Sequence, residues 1–217
     1  RDRLRSRGLG DVYKRQEMYY KKLDNLNPYT VDNVKIRYYG ENCAKGYAMG
    51  LDVKFFGEFV PGTDSWISFS LMKAQQTIRE TTTVPMANSQ GYNISLFFQD
   101  YFPGYKRVKL NLKGVLSGGL PQTIPGKGYE AGYFRTPAYK RVDIGLSYQL
   151  AGGTDAIMDR GFFRHLKNIW LGLDVFNILD IKNVSSYYWI TDVYNVQYAV
   201  PNYLTGRQLN VRLIVDF

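Results

Sequence analysis

Nucleophilic or metal chemistry would need the reactive side chains of this chain to lie together, and those side chains are few. The sequence has 1 histidine, His165, and 1 cysteine, Cys43. A hydroxyl or thiol nucleophile needs a neighbouring base, and a zinc site needs several ligands at clustered spacing. His165 and Cys43 are far apart in sequence, and no such clustering occurs. The pattern predicts no enzyme, metal site or cofactor, and one cysteine excludes an intramolecular disulfide.

Net charge gives a misleading first impression of the partner. The formal charge is +9, but residues 1–16 hold 6 basic and 2 acidic side chains and so account for +4 of it. The remaining Lys and Arg are scattered singly, without the basic run that follows a phosphate backbone. The sequence therefore predicts no nucleic-acid partner.

The first residues of the chain resemble a translated DNA adaptor. Residues 6–16, SRGLGDVYKRQ, can be encoded by DNA that resembles a transposase adaptor from library preparation read in frame. An ordinary basic tail is the alternative. We expect residues 1–16 to be non-native and to lie outside the fold. Residues 17–217 would then be the C-terminal part of a longer protein.

The last segment, residues 207–217, has apolar odd positions from Leu209 onward and mostly polar even positions, and it ends in the aromatic Phe217. Strands in soluble proteins are commonly about 5 to 6 residues long. A strand that crosses an outer membrane needs about 9 to 11, with alternating lipid-facing and lumen-facing positions. This segment is long enough to cross.

The same alternation recurs upstream, and no run approaches the roughly 18 apolar residues of a spanning helix. The alternating segments are 46–59, 65–77, 92–101, 106–116, 138–150 and 167–177. Counting strands backwards makes residues 17–23 the end of a further, severed strand. Together with the last segment they predict an all-β fold, an antiparallel meander of about eight transmembrane strands, the first incomplete. Any closure between residues 17–23 and the last strand would be an accident of truncation.

Connection lengths predict which end of each strand faces outward, because periplasmic turns of such barrels are short and extracellular loops long. Tight turns at 60–64 and 102–105 fall on the predicted periplasmic side. The longer connections 24–45, 78–91, 117–137 and 178–205 fall on the extracellular side. Residues 151–166 are the exception, a long periplasmic connection predicted to hold a short helix or an extended hairpin.

Three motifs near the C-terminus resemble a known family. They are the Arg-x-Asp pattern of Arg141 and Asp143, the Asn-x-x-Asp pattern of Asn177 and Asp180, and Gly206-Arg207 opening a strand that ends in Phe217. Their order and spacing resemble the end of TonB-dependent outer-membrane receptors. The resemblance covers residues 17–217, with its specific motifs in 133–217.

This resemblance implies a fragment of a 22-stranded outer-membrane β-barrel in a Gram-negative bacterium, filled in the whole protein by an N-terminal plug. It implies energy-coupled uptake of a scarce nutrient such as an iron-siderophore, cobalamin or glycan. The implied partners are outer-membrane lipid, the nutrient ligand, an inner-membrane energy-coupling complex and the barrel assembly machinery, which would read Phe217 as its signal.

Ligand contacts are expected in the extracellular loops and charged groups in the lumen. The candidate loop residues are Tyr133, Arg135, Tyr187, Tyr188, Trp189, Tyr194, Tyr198 and Tyr203. The candidate lumen residues are Lys54, Glu58, Lys113, Arg141, Asp143, Asp174 and Arg212. Aromatic rings can grip ligands while their polar tips stay hydrated. They can equally form an interfacial girdle or pack between loops, and the lumen charges can pair with one another or with the plug.

Two other classes remain open on the sequence. A small complete eight-stranded outer-membrane barrel would have a structural or adhesion role, and the incomplete first strand disfavours it. A soluble lipid-binding barrel would need apolar lumen positions. Charged residues such as Asp52, Lys109 and Asp143 at those positions disfavour that alternative.

Overall fold

The computed structural model describes residues 12–32, 35–60, 63–125, 127–128, 131–152, 155, 161 and 165–217. Its strands in chain order are β1 (Val12–Leu26), β2 (Tyr29–Asp32), β3 (Lys35–Tyr38), β4 (Ala44–Val60), β5 (Thr63–Ile78), β6 (Thr82–Pro85), β7 (Tyr92–Phe102), β8 (Tyr105–Ser117), β9 (Pro121–Thr123), β10 (Tyr133–Arg135), β11 (Tyr139–Gly152), β12 (Asn168–Phe176), β13 (Val184–Thr191), β14 (Gln197–Tyr203) and β15 (Gln208–Asp216). The prediction of an all-β, antiparallel fold is confirmed.

One sheet contains all the long strands, in the order β1-β4-β5-β7-β8-β11-β12-β15, with β6 added beside β5. Each long strand neighbours the next long strand of the chain, which makes the sheet a meander. These strands have 9 to 17 residues. Over the described parts of the chain the sheet is open, with β1 and β15 as its edges.

Strand β1 begins inside the segment expected to be a non-native tail. It pairs with β4 without interruption from Val12 opposite Gly57 to Leu23 opposite Gly46. The ladder therefore passes through Glu17 with no change in register. The origin of residues 1–16 stays a prediction, and residues 1–11 lie outside the described residues.

The two faces of the sheet have opposite chemistry. Following the register from strand to strand places every predicted lumen residue on one face, here called the polar face. Its charged members include Lys54, Glu58, Lys113, Arg141, Asp143, Asp174 and Arg212. The opposite, apolar face carries Leu51, Phe69, Phe98, Leu110, Leu146, Leu173 and Leu213.

In β11 and β12, burial on these faces is the reverse of that in a water-soluble sheet. Asp143 and Asp174 on the polar face are each 7% exposed, whereas Leu146 and Leu173 beside them on the apolar face are 42% and 44% exposed. The polar side chains cover one another through hydrogen bonds, and the apolar side chains have no second layer of described protein against them. β11 and β12 thus bury these polar groups and present apolar ones, whereas Lys54, Glu58 and Lys113 elsewhere on the polar face are exposed.

A single irregularity interrupts the β11–β12 ladder. Gln149 lies opposite Trp170 and Ala151 opposite Ile169, so Leu150 is an extra residue in β11. An inserted residue of this kind forms a β-bulge. Beyond it, Ala151 packs with Leu166, and that pair contacts Ile169 of the apolar face.

The long connections lie at one end of the sheet, here called the loop end, and contain short strands that the sequence did not predict. β2 pairs with β3, β9 with β10, and β13 with β14, each as a separate two-stranded sheet. A small cluster of Ala44, Ile78 and Val84, with Cys43 packed against it, lies at the base of these hairpins.

The opposite end of the sheet has two tight connections, β4–β5 and β7–β8, and the longer one between β11 and β12. Gly104, with φ of 80°, supports the predicted tight turn between β7 and β8, because glycine adopts positive φ without steric cost. Residues 61–62 of the other predicted turn, and most of 151–166, lie outside the described residues. No described helix is long and apolar enough to cross a membrane.

Candidate functional site

The three motifs of the resemblance meet at the loop end of β11, β12 and β15. One carboxylate oxygen of Asp143, Oδ1, accepts hydrogen bonds from Arg141 Nε at 2.7 Å and from the backbone N–H of Asn177 at 2.8 Å. The Arg141 guanidinium also lies 5.4 Å from the centre of the Phe176 ring. The Arg-x-Asp pattern thus fixes the point at which β12 ends.

The Asn-x-x-Asp pattern forms the turn that follows. Asn177 has φ of 51°, a region that asparagine enters more readily than most residues. Its side chain accepts from the N–H of Ile181 at 3.1 Å and donates to the carbonyl of Ile181 at 3.0 Å. Asp180 Oδ1 then accepts the backbone N–H of Arg207 at 3.0 Å. This links the end of β12 to the start of β15.

Glycine fits the position beside that contact. A Cβ atom at Gly206 would lie 3.0 Å from Asp180 Oδ1, which is too close for an ordinary van der Waals contact. The family-like pairing of Gly206 and Arg207 therefore has a local reason. The glycine leaves room for the carboxylate that the next amide binds.

Asn183 is part of the same junction, although the sequence reasoning missed it. Its side chain donates to the carbonyl of Lys140 at 2.8 Å and accepts the N–H of Lys140 at 2.9 Å. Asn183 is 6% exposed, and its carbonyl accepts the N–H of Leu204 at 2.8 Å. A single asparagine in a long connection gives no periodic signal by which to recognise such a role.

Farther along the polar face, the predicted lumen charges pair with one another. Arg212 Nη2 lies 3.4 Å from Asp174 Oδ1 and donates to Ser147 Oγ at 3.2 Å. Asn210 Nδ2 lies 3.4 Å from the other oxygen of Asp174. Arg212 Nε is buried and has no hydrogen-bond partner among the described residues.

Lysines of the polar face lie over aromatic rings. Lys54 Nζ is 5.1 Å from the Trp66 ring centre and 5.5 Å from that of Phe56. Lys109, which was not among the candidates, lies 4.6 Å from Trp170 and 5.0 Å from Tyr101. Such cation–π contacts hold an ammonium group without a carboxylate. The other candidate lysine, Lys113, lies opposite Asp143 in the ladder.

Above the sheet, two loop hairpins meet through aromatic rings. The ring of Phe134 in β10 lies 5.4 Å from that of Tyr187 and 6.0 Å from that of Trp189, both in β13, in edge-to-face geometry. Burial, and to a lesser extent Tyr203, raises the pKa of the Tyr187 hydroxyl. Tyr187 and Trp189 thus pack between loops, which is the alternative to ligand contact given above.

The remaining loop candidates divide by exposure and contact. Arg135 Nη1 donates to the carbonyls of Ser89 at 2.6 Å and Gly119 at 2.8 Å, and thus joins two connections. Five tyrosines are at least 47% exposed, with their rings open to solvent. They are Tyr133, Tyr188, Tyr194, Tyr198 and Tyr203. Ligand contact by any of these residues stays a prediction.

The residues with catalytic or metal-binding potential are not brought together. His165 is exposed in the connection between β11 and β12, at the end of the sheet opposite the loop end, whereas Cys43 is half-buried at the loop end. Within the described ranges no group of three His, Cys, Asp or Glu residues is placed to hold a metal ion. Phe217, the predicted assembly signal, follows β15 and is 73% exposed.

The chain has no match among family models, curated proteins or solved structures. The resemblance to TonB-dependent receptors therefore depends on the motifs themselves. Those motifs converge on one junction between three strands, with side-chain contacts that account for Asp143, Asn177, Asp180 and Gly206.

Proposed function

We propose that residues 17–217 form part of the β-barrel wall of an outer-membrane receptor that takes up a scarce nutrient, such as an iron-siderophore, cobalamin or glycan, with energy from an inner-membrane complex. The observation that carries this proposal is the reversed burial in β11 and β12. Asp143 and Asp174 are buried in hydrogen bonds, while Leu146 and Leu173 are exposed.

Exposed apolar surface on this scale needs a partner, because soluble monomers rarely present large contiguous apolar patches. Lipid is the partner that suits an apolar face on every long strand of a sheet. Strands of 9 to 17 residues are also long enough to cross a bilayer. Both properties support a membrane-embedded barrel wall.

The open edges favour a larger barrel over the small eight-stranded one. Unpaired backbone groups cost several kcal/mol each in lipid, by rough estimate, so spanning sheets must close. β1 and β15 are both edges and are not paired with each other in the described sheet. Further strands beside β1 and β15 would satisfy both edges, as in a 22-stranded barrel.

The polar face supports a filled lumen. Arg212 Nε is buried without a described partner, and a buried donor left unpaired is costly. A plug domain packed in the lumen would supply an acceptor to it. The connections at the loop end, with their exposed tyrosines, would meet the nutrient first.

A labelling experiment tests the membrane assignment. Single cysteines are introduced in the full chain, in a Cys43→Ser background, at two neighbouring pairs: Leu71→Cys with Ser70→Cys, and Leu110→Cys with Asn111→Cys. After reconstitution into phosphatidylcholine vesicles, nitroxide-labelled lipid should quench a fluorophore on Leu71→Cys and Leu110→Cys much more strongly than one on their neighbours. Equal quenching within both pairs contradicts a lipid-facing sheet.

The gene itself tests the receptor assignment. We expect the genomic DNA upstream of the Glu17 codon to continue in frame through further alternating strands to a plug domain and a signal peptide. A start codon directly before Glu17 would contradict the receptor and favour the small barrel. This test does not depend on whether the chain folds alone.

A further inference from the structure

A groove lies on the apolar face where β1, β4 and β5 run side by side toward the loop end. It has a volume of about 660 Å³, which falls in the range of ligand sites. Two rows of the ladder form its walls, one row of Met18, Leu51 and Leu71, and one nearer the loop end of Tyr20, Met49 and Lys73. All six side chains are exposed.

Lys73 is the only charged side chain in the described lining of this groove. Within the described ranges its ammonium group has no hydrogen-bond, ion-pair or ring partner. The acidic neighbours of the lining in sequence point away from it, because Glu17 and Asp52 lie opposite each other on the polar face. A cation therefore lies beside an apolar surface without a carboxylate in that lining to neutralise it.

The groove has a polar end and an apolar end. Toward the loop end the next row holds Tyr47, whose hydroxyl donates to Gln75 Oε1 at 2.6 Å and whose ring stacks 6.1 Å from that of Tyr20. In the other direction Phe69 continues the apolar side of β5. Aromatic rings and a lysine above an apolar stretch are typical of the border between headgroups and hydrocarbon in a membrane.

We propose that this groove binds an anionic membrane lipid, with its phosphate at Lys73 and one acyl chain along Met18, Leu51 and Leu71. The ammonium group attracts phosphate as a point charge, and the Tyr20 hydroxyl of the same row can donate to it. A zwitterionic lipid would fill the groove but leave the charge of Lys73 without a net counter-charge. The site rests on the proposed membrane function and adds a lipid class to it.

Lipid-selective quenching in reconstituted vesicles tests the proposal. A fluorophore is attached to Tyr92→Cys of the full chain in a Cys43→Ser background, because Tyr92 lies opposite Leu71 on the apolar face but does not line the groove. The vesicles contain phosphatidylcholine with a fixed fraction of phosphatidylglycerol, and bromine, the quencher, is carried by one lipid or by the other. We expect phosphatidylglycerol to be preferred about fivefold at this label.

Variants of Lys73 separate this site from a general effect of charge. Lys73→Gln should abolish the preference, whereas Lys73→Arg keeps the charge and should keep the preference. Lys22→Gln removes the same charge from the next row of the same face, where Lys22 lies 3.7 Å from Asp24. This control should leave the preference within about twofold of that of the unchanged chain.

Three results would overturn the proposal: equal quenching by the two lipids in the unchanged chain, an equal loss of preference in Lys22→Gln, or no quenching by either lipid while a label on Leu110→Cys is quenched. The last result would mean that protein, such as a second copy of the chain, covers the groove. Strong quenching at Leu110→Cys without a lipid preference at Tyr92→Cys would overturn only this site. Equal quenching of labels on Leu110→Cys and Asn111→Cys would contradict the membrane proposal itself.

Discussion

Asp180 accepts the backbone N–H of Arg207 at 3.0 Å and so joins the end of β12 to the start of β15 across a connection that spans residues 177–207. That connection extends into the β13–β14 hairpin before it returns. The hydrogen bond closes the base of the excursion. It lets the connection vary in its outer part while the last two strands keep their register.

Replacing Asp180 tests this closure. Asp180→Ala removes the acceptor and should lower the free energy of unfolding by about 1 kcal/mol, measured by urea titration of the reconstituted chain. Asp180→Asn keeps an acceptor oxygen and should lose less. Asp24→Ala, which removes only an exposed pair with Lys22 at 3.7 Å, is the control. A loss as large in the control would contradict a specific role for Asp180.

Asp143 should be the more sensitive carboxylate of the junction. Asp143→Ala removes the acceptor of both the Arg141 guanidinium and the Asn177 amide. We therefore expect the free energy of unfolding to fall by about 2 kcal/mol. Asp143→Asn retains an acceptor for the amide and should fall between Asp143→Ala and the unchanged chain. Indistinguishable Ala and Asn variants would show that the amide contact contributes little.

The Phe134 ring should control ionisation of Tyr187. Burial raises the pKa of the Tyr187 hydroxyl, so the folded chain favours its neutral form. The resulting stability is present below the ordinary tyrosine pKa and is lost as pH rises through the higher folded one. Phe134→Ala exposes the Tyr187 ring, and the pKa of the Tyr187 hydroxyl should return toward its ordinary value in a spectrophotometric titration. Phe102→Ala, which removes a ring contact with Tyr105 at the other end of the sheet, should leave the titration unchanged.

Asp155 should contribute to stability in the acid range. The Gly152 amide, followed by the Arg107 guanidinium, holds the pKa of the Asp155 carboxyl below its usual value. A depressed pKa gives stability that is present above the unfolded value and is lost as pH falls through the folded one. Asp155→Asn should therefore flatten the pH dependence of unfolding below about pH 4, measured against the unchanged chain. Parallel profiles would contradict this contribution.

Alternation predicted the long strands well because one residue in two reports its face. The predicted segment 92–101 becomes Tyr92–Phe102, and 106–116 becomes Tyr105–Ser117. The face of Arg212 followed from the same parity. The loop hairpins were missed because β2, β3, β9 and β10 are too short to show a period.

The sites were harder to predict than the strands. Asp143 and Asn177 were recognised in two separate motifs, but the contact between them depends on where two separate strands end. Spatial convergence of distant loops leaves no trace in spacing along the chain.

The bulge at Leu150 gives β11 a position at which one residue can be lost without a change of face. Deleting one residue from a regular strand moves every following side chain to the opposite face, where apolar and polar environments are exchanged. Deleting Leu150 would instead leave Gln149 and Ala151 opposite Trp170 and Ile169, their present partners. Natural variation in the length of β11 should therefore concentrate at this position.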